Sequence, residues 1–114
     1  MFYNRTESYR HSFGKPPEFR MEISDYGNIH SCVLGLLLDV SARGAKIYSE
    51  KELPTESGAI KLTFKISHEN IKAEGKLVWK SKTSDGWIYG VEWLVDPVRE
   101  MVIADEIKSR IANR

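Results

Sequence analysis

Cysteine is nearly absent: Cys32 is the one thiol in 114 residues. A single thiol cannot close an internal disulfide or build a thiolate metal site. Its place in the apolar stretch before three leucines predicts a buried, inert side chain. Long apolar runs are missing too. None approaches the ~20 residues that span a bilayer, so membrane insertion is not expected. Met1-Phe2-Tyr3-Asn4-Arg5 leads into polar sequence, not the apolar block of a signal peptide. A cytoplasmic, reducing location is the default expectation. Nor is there an excess of one charge. The 17 basic and 16 acidic side chains leave a net charge of +1, which argues against a general binder of DNA, RNA or membrane surfaces. Any affinity for an anion must be local. Repeats, linkers and low-complexity segments are absent as well.

Catalytic signatures are also lacking. His11, His30 and His68 fall in no metal-ligand spacing, so no metal is expected. There is no Gly-x-Ser-x-Gly elbow and no glycine-rich phosphate loop leading into a helix. The carboxylates sit on alternating exposed faces and form no acid–base pair. The chain does not read as an enzyme, and no cofactor is expected.

What is present is patterned as strand. An apolar fraction of 41% with 29% charged residues is ordinary globular usage, and the length suits one domain. Residues 1–16 carry Arg5, Arg10, His11 and Lys15 against the single acid Glu7. They read as a flexible basic arm, distinct from a barrel over 17–114. Phe19, Met21 and Ile23 alternate with Glu18, Arg20 and Glu22, the signature of a half-buried strand. Residues 31–38 are almost continuously apolar, which predicts a strand buried on both faces. Ala45 and Ile47, then Ile60, Leu62, Phe64 and Ile66, then Ile71, Ala73, Gly75, Leu77 and Trp79 define further inward faces. Ser84-Asp85-Gly86 marks a hairpin tip. Trp87, Tyr89, Val91 and Trp93 share a face on the way back, and the three tryptophans read as core. Short strands joined by turns with no helix between them predict an all-β fold, an antiparallel sheet closed or nearly closed into a small barrel. The period then changes. Asp96-Pro97 is a helix start. Val98, Met101 or Val102, Ile107 and Ile111 follow on one side, with Glu100, Asp105, Glu106, Lys108 and Arg110 on the other. A C-terminal α-helix over about 97–112 is expected to pack on the barrel or on a second copy.

The most distinctive stretch is Leu36-Leu37-Leu38-Asp39-Val40-Ser41-Ala42-Arg43-Gly44. An aspartate and a serine directly after an apolar strand emerge at the rim of a core, on a turn held by strands at both ends. Such a turn is a common platform for binding. Asp39 can accept hydrogen bonds from the N1–H and exocyclic amine of a guanine. Ser41 can bond a ring nitrogen or a phosphate, and Gly44 removes a Cβ where space is needed. Arg5 and Arg10 can pair with phosphate or with guanine, and Arg43 is a candidate for an additional phosphate contact. The plainer alternative stands beside this reading. Asp39 and Ser41 can serve only as turn formers through side-chain-to-backbone bonds, Gly44 as a positive-φ residue, and the arginines as solvated charges.

Asp39-x-Ser41-x-x-Gly44 resembles the D/N-x-S-x-x-G motif of the PilZ domain family. Arg10 stands 29 residues upstream of Asp39, where that family carries an arginine motif. Gly75-Lys76-Leu77-Val78-Trp79 and Gly90-Val91-Glu92-Trp93 resemble its last two barrel strands. The resemblance runs from the arm to the terminal helix. It implies a small six- or seven-stranded antiparallel β-barrel that is a receptor for cyclic di-GMP, bound at the barrel rim by Arg10, Asp39, Ser41 and Gly44, with the arm ordering over the ligand to alter a surface offered to a protein partner. One departure is plain. The first arginine of R-x-x-x-R would fall at Thr6, and Arg5 stands one place earlier. Either the arm lets Arg5 take that part, or the chain is a module that has lost the nucleotide and works through protein contacts alone. A single-stranded nucleic-acid binder on a small barrel is a third reading, and the near-neutral charge weighs against it.

Overall fold

Alternating apolar and polar side chains commit most of this chain to strand, and in the computed structural model the described residues form seven strands followed by one helix. It describes residues 10–25, 28–53 and 59–112. Arg5 and Thr6 of the arm, Tyr26 and Gly27, and residues 54–58 lie outside the described residues. In chain order the elements are β1 (His11–Ser12), β2 (Glu18–Asp25), β3 (Asn28–Val40), β4 (Gly44–Ser49), β5 (Ile60–Lys65), β6 (Asn70–Lys82), β7 (Trp87–Trp93) and α1 (Pro97–Ala112).

Every pairing is antiparallel. The order runs β3-β2-β5-β6-β7-β4, and β4 returns to pair with β3, closing a six-stranded barrel. Closure removes the open edges that an isolated sheet would expose. β1 is a short addition to the end of β3, with His11 opposite Val40 and Ser12 opposite Asp39. The last part of the segment read as a loose arm is therefore stitched to the barrel. Phe13 donates its N–H to Leu38 O at 3.1 Å, and the His11 and Phe13 side chains are buried.

Phe19, Met21, Leu37, Ile47, Ile60, Leu62, Ile66, Ile71 and Tyr89 fill the interior. Each such side chain taken out of water contributes roughly 1.5–3 kcal/mol, so the barrel holds together without a disulfide. The Tyr89 hydroxyl is not left unsatisfied in this core, because it accepts the N–H of Leu53 at 2.6 Å.

Three sequence expectations change. First, β3 is not buried on both faces. Leu34 is 62% exposed and Cys32 is exposed rather than buried. Among the described side chains of 32–38, Val33 and Leu37 turn inward, because a barrel wall has a single apolar side. Second, Trp79 leaves the core. The β6–β7 register shifts between Leu77 and Trp79, so Leu77 faces Val91 but Trp79 faces Gly90. One extra residue in the ladder moves every later side chain to the opposite face. Trp79 is 47% exposed, whereas Trp93 is buried against Phe64 and Trp87 packs at the core margin.

Third, α1 buries only part of the face expected: Ile107 is buried and Val102 packs against the core. Its cap is as read: Asp96 Oδ1 accepts the N–H of Arg99 at 3.2 Å. The buried positions, however, are Ile103, Glu106 and Ile107, while Val98 and Met101 are exposed. Positions 103, 106, 107 and 110 follow the i, i+3, i+4, i+7 rule of one helical face. Glu106 is tolerated there because its Oε1 accepts the backbone N–H groups of Ser67, His68 and Glu69 at 2.8–3.1 Å. No helix among the described residues is long and apolar enough to cross a membrane.

Candidate functional site

The polar turn of residues 41–43 joins β3 to β4, and a second bulge decides what it presents. The β3–β4 register shifts between Leu37 and Asp39, so Leu37 faces Ile47 inside the barrel while Asp39 faces Lys46 on its outer wall. Without that shift Asp39 would point into the core beside Leu37, where an ionised carboxylate is costly. The bulge places it at the rim instead.

There the carboxylate is only 5% exposed, yet it is not without partners. The Arg10 guanidinium pairs with Oδ1, and the Lys46 ammonium lies 3.7 Å from Oδ2. Each oxygen thus has its own cation, one from the arm and one from β4. Arg10 reaches Oδ1 because Ser12, two residues on, stands opposite Asp39 on the same outer face.

The outer row continues sideways. Lys46 faces Gly90 across the β4–β7 ladder, and Gly90 faces Trp79 across β7–β6. Gly90 has no side chain, and the Trp79 indole lies directly over it. A Cβ at that position would run into the indole nitrogen. Asp39, Lys46 and Trp79 therefore share one outer row spanning four strands. Sequence reading missed Lys46 and Trp79. The Lys46 signal was its position two residues after Gly44, but its alignment with Asp39 depends on a bulge that no periodicity announces.

Ser41 and Gly44 build the turn. Ser41 is 2% exposed. Its hydroxyl accepts the N–H groups of Arg43 and Gly44, each at 3.2 Å, and reaches Gly44 O at 3.4 Å. Its backbone N–H also donates to Gly44 O at 2.8 Å. The turn-forming reading of Ser41 holds as a geometric fact, and its hydroxyl is occupied within the turn. Gly44 is not the positive-φ residue expected. Its φ lies outside the left-handed region, and its need is space, because a Cβ would collide with Val91 O of β7. Trp93 fastens the same turn from β7, with its indole N–H donating to Ser41 O at 3.2 Å and its backbone N–H to Arg43 O at 3.0 Å.

Arg43 is not drawn to Asp39. Its exposed side chain extends towards α1, where Nε lies 3.9 Å from Glu100 Oε1. Arg5 lies outside the described residues, so the structure places Arg10, Asp39 and Lys46 together and leaves Arg43 apart. Among the described residues no group of three His, Cys, Asp or Glu side chains is arranged to hold a metal.

The sequence matches the family model of the PilZ domain over residues 4–108. No curated protein sequence matches it. Among solved structures, the PilZ domain of YcgR from Escherichia coli, solved with c-di-GMP, superposes with a TM-score of 0.71 at 18% identity, covering 96% of this chain and 93% of that one. The inhibitor of motility MotI/DgrA of Bacillus subtilis gives 0.69 at 14% identity, covering 98% of this chain and 54% of that one. The chain therefore spans about half the length of that protein. The PilZ domain of CeSA from a cellulose-synthesizing bacterium gives 0.60 at 13% identity, with 93% and 100% covered. At these identities the likeness establishes the fold.

Proposed function

The chain belongs to the PilZ domain family, and from that membership we propose that it is a non-enzymatic receptor for cyclic di-GMP, which sits on the outer rim around Asp39. The observation that carries the reading is Asp39 itself, a carboxylate turned out of the core by a bulge and set between two cations. A guanine offers two neighbouring donors, N1–H and the exocyclic amine, that match the two oxygens of a carboxylate. The relative solved with c-di-GMP supports the choice of ligand.

The roles follow from charge and placement. In the free protein Arg10 and Lys46 hold the oxygens that the base requires. Both cations are partly exposed while the carboxylate is buried, so a base that displaces them must satisfy both oxygens at once, which a bidentate edge does. Once released, both sit beside the nucleotide and are free to neutralise its phosphates. Trp79 offers an exposed indole in the same row for a base to stack on. Ser41 and Gly44 act by shaping the turn. Arg5, arriving from the arm, supplies a further guanidinium and orders the segment over the ligand, which alters the surface shown to a partner protein.

The test is calorimetric titration of the whole chain with cyclic di-GMP. Saturable heat at micromolar protein supports the receptor. Its absence at high ligand favours the second reading, a module working through protein contacts alone, for which Thr6 in the arginine motif is the specific sign.

A further inference from the structure

The nucleotide reading leaves the other end of the arm unexplained. Phe13 lies three residues beyond Arg10, and its N–H is bonded to Leu38 O, one residue short of Asp39. From the opposite side the Arg110 guanidinium, in the last turn of α1, stands over the Phe13 ring at 4.8 Å. The His11 ring meets the Phe13 ring edge-on, with centroids 4.8 Å apart. The same guanidinium donates to Ile66 O at 2.8 Å. One turn earlier Glu106 grips the three N–H groups of residues 67–69. Arg110 thus belongs both to the clamp that seats α1 on the barrel and to the anchorage of the arm.

We propose that Phe13 and Arg110 are positioning residues of the nucleotide site: their contact holds β1 on β3, so that Arg10 stays at the rim beside the nucleotide once the base has taken its place at Asp39, and it ties occupancy of the rim to the seat of α1. The proposal rests on the receptor reading for the identity of the ligand, whereas the tie between arm and helix rests on the contacts themselves. A ladder of two residues forms too few hydrogen bonds to offset the entropy of ordering the segment. The buried ring and the cation stacked on it supply what the ladder lacks. Coupling of this kind is reciprocal. If Arg110 improves nucleotide affinity by holding the arm, bound nucleotide must steady α1 by the same factor. The helix carries the exposed Val98 and Met101, so its seat determines how an apolar surface is offered to a partner.

The experiment combines residue-resolved amide exchange with cyclic di-GMP titration on the whole chain. In Arg110→Gln, exchange at the Phe13 amide should rise about 3- to 30-fold relative to Met21 and Leu62, and nucleotide affinity should fall by a similar factor. Phe13→Leu, which keeps an apolar group but no ring, should do the same. Phe13→Tyr should stay near the unmodified chain. Lys108→Gln removes a charge from an exposed site on the same helix and should move neither readout. Bound nucleotide should slow exchange across Ile103 to Arg110 in the unmodified chain and not in Arg110→Gln. Unchanged exchange at Phe13 in both Arg110→Gln and Phe13→Leu, with only the thermal midpoint lowered, would overturn the proposal by making Arg110 a helix clamp alone. If the unmodified chain gives no heat with cyclic di-GMP while Arg110→Gln loosens Phe13, the receptor reading fails and the arm–helix tie stands.

Discussion

The ammonium of Lys46 lies 3.7 Å from Oδ2 of Asp39, beside the oxygen that the Arg10 guanidinium does not hold. The free site is therefore closed on itself, with each oxygen facing a cation of this chain. On the receptor reading proposed above, a ligand edge with two donors would take the place of both cations, and a ligand with none would have nothing to offer the carboxylate.

Asp39→Asn tests that pairing. The amide keeps the shape but turns one acceptor into a donor, which a guanine edge cannot meet. Losing a charged hydrogen bond costs about 1.5–3 kcal/mol, so affinity for cyclic di-GMP should drop about 10- to 150-fold by calorimetry. Equal affinity would place the base elsewhere.

The arm is tested at Thr6. Arg10→Ala should abolish binding. Thr6→Arg restores the R-x-x-x-R spacing and should tighten it. A titration curve indistinguishable from that of the unmodified chain would mean that Arg5 already fills the part.

Trp79→Ala separates binding from folding. The indole is exposed and lies over Gly90 outside the core, so the melting temperature should change little. Base–aromatic stacking is worth about 1–3 kcal/mol per base, and affinity should fall about 5- to 150-fold. Tryptophan fluorescence, quenched by nucleotide in the unmodified chain, should lose most of that response in the variant. A full response would remove Trp79 from the site.

Glu106 makes stability depend on pH. Burial alone would raise its pKa, but the N–H groups of Glu69, His68 and Ser67, with the charge of the His68 ring, outweigh burial and hold the carboxyl below its ordinary value of 4.5. A carboxyl with a lower pKa folded than unfolded adds stability above the unfolded value. That stability is lost as the pH falls through the folded one. Its contribution is therefore complete at neutral pH and declines once the pH drops below about 4.5. Glu106→Gln should cost about 1–3 kcal/mol at neutral pH, and the gap between the two urea midpoints should close in acid. A gap independent of pH would refute the carboxylate's role.

Much of the fold was legible because strands repeat every two residues. Ile60, Leu62, Phe64 and Ile66 needed no neighbour to declare their inward face, and Asp96 before Pro97 announced the helix by cap chemistry alone. The candidate site was legible only in part. Asp39, Ser41 and Gly44 stood out as a polar turn after leucines, and Arg10 by its charge and spacing. Lys46 and Trp79 did not, since each looks like an ordinary member of an alternating strand. Glu106 resembled any solvated acid of an amphipathic helix until three backbone N–H groups of another turn came to meet it.

By itself, then, the amino-acid order determined the strand periods, the turn chemistry at Ser41, the helix start and the arm's arginines, because each depends on neighbours along the chain. Tertiary structure alone decided which way Asp39 and Trp79 face, why Gly44 has no room for a side chain, and that Cys32 meets solvent. The reason is that a bulge or a close approach is set by cross-strand register. Slips at Leu38 against β4 and at Val78 against β7 turn two residues of apparent core phase onto one outer row. No local period encodes that alignment, and it is the alignment that makes the rim a candidate site.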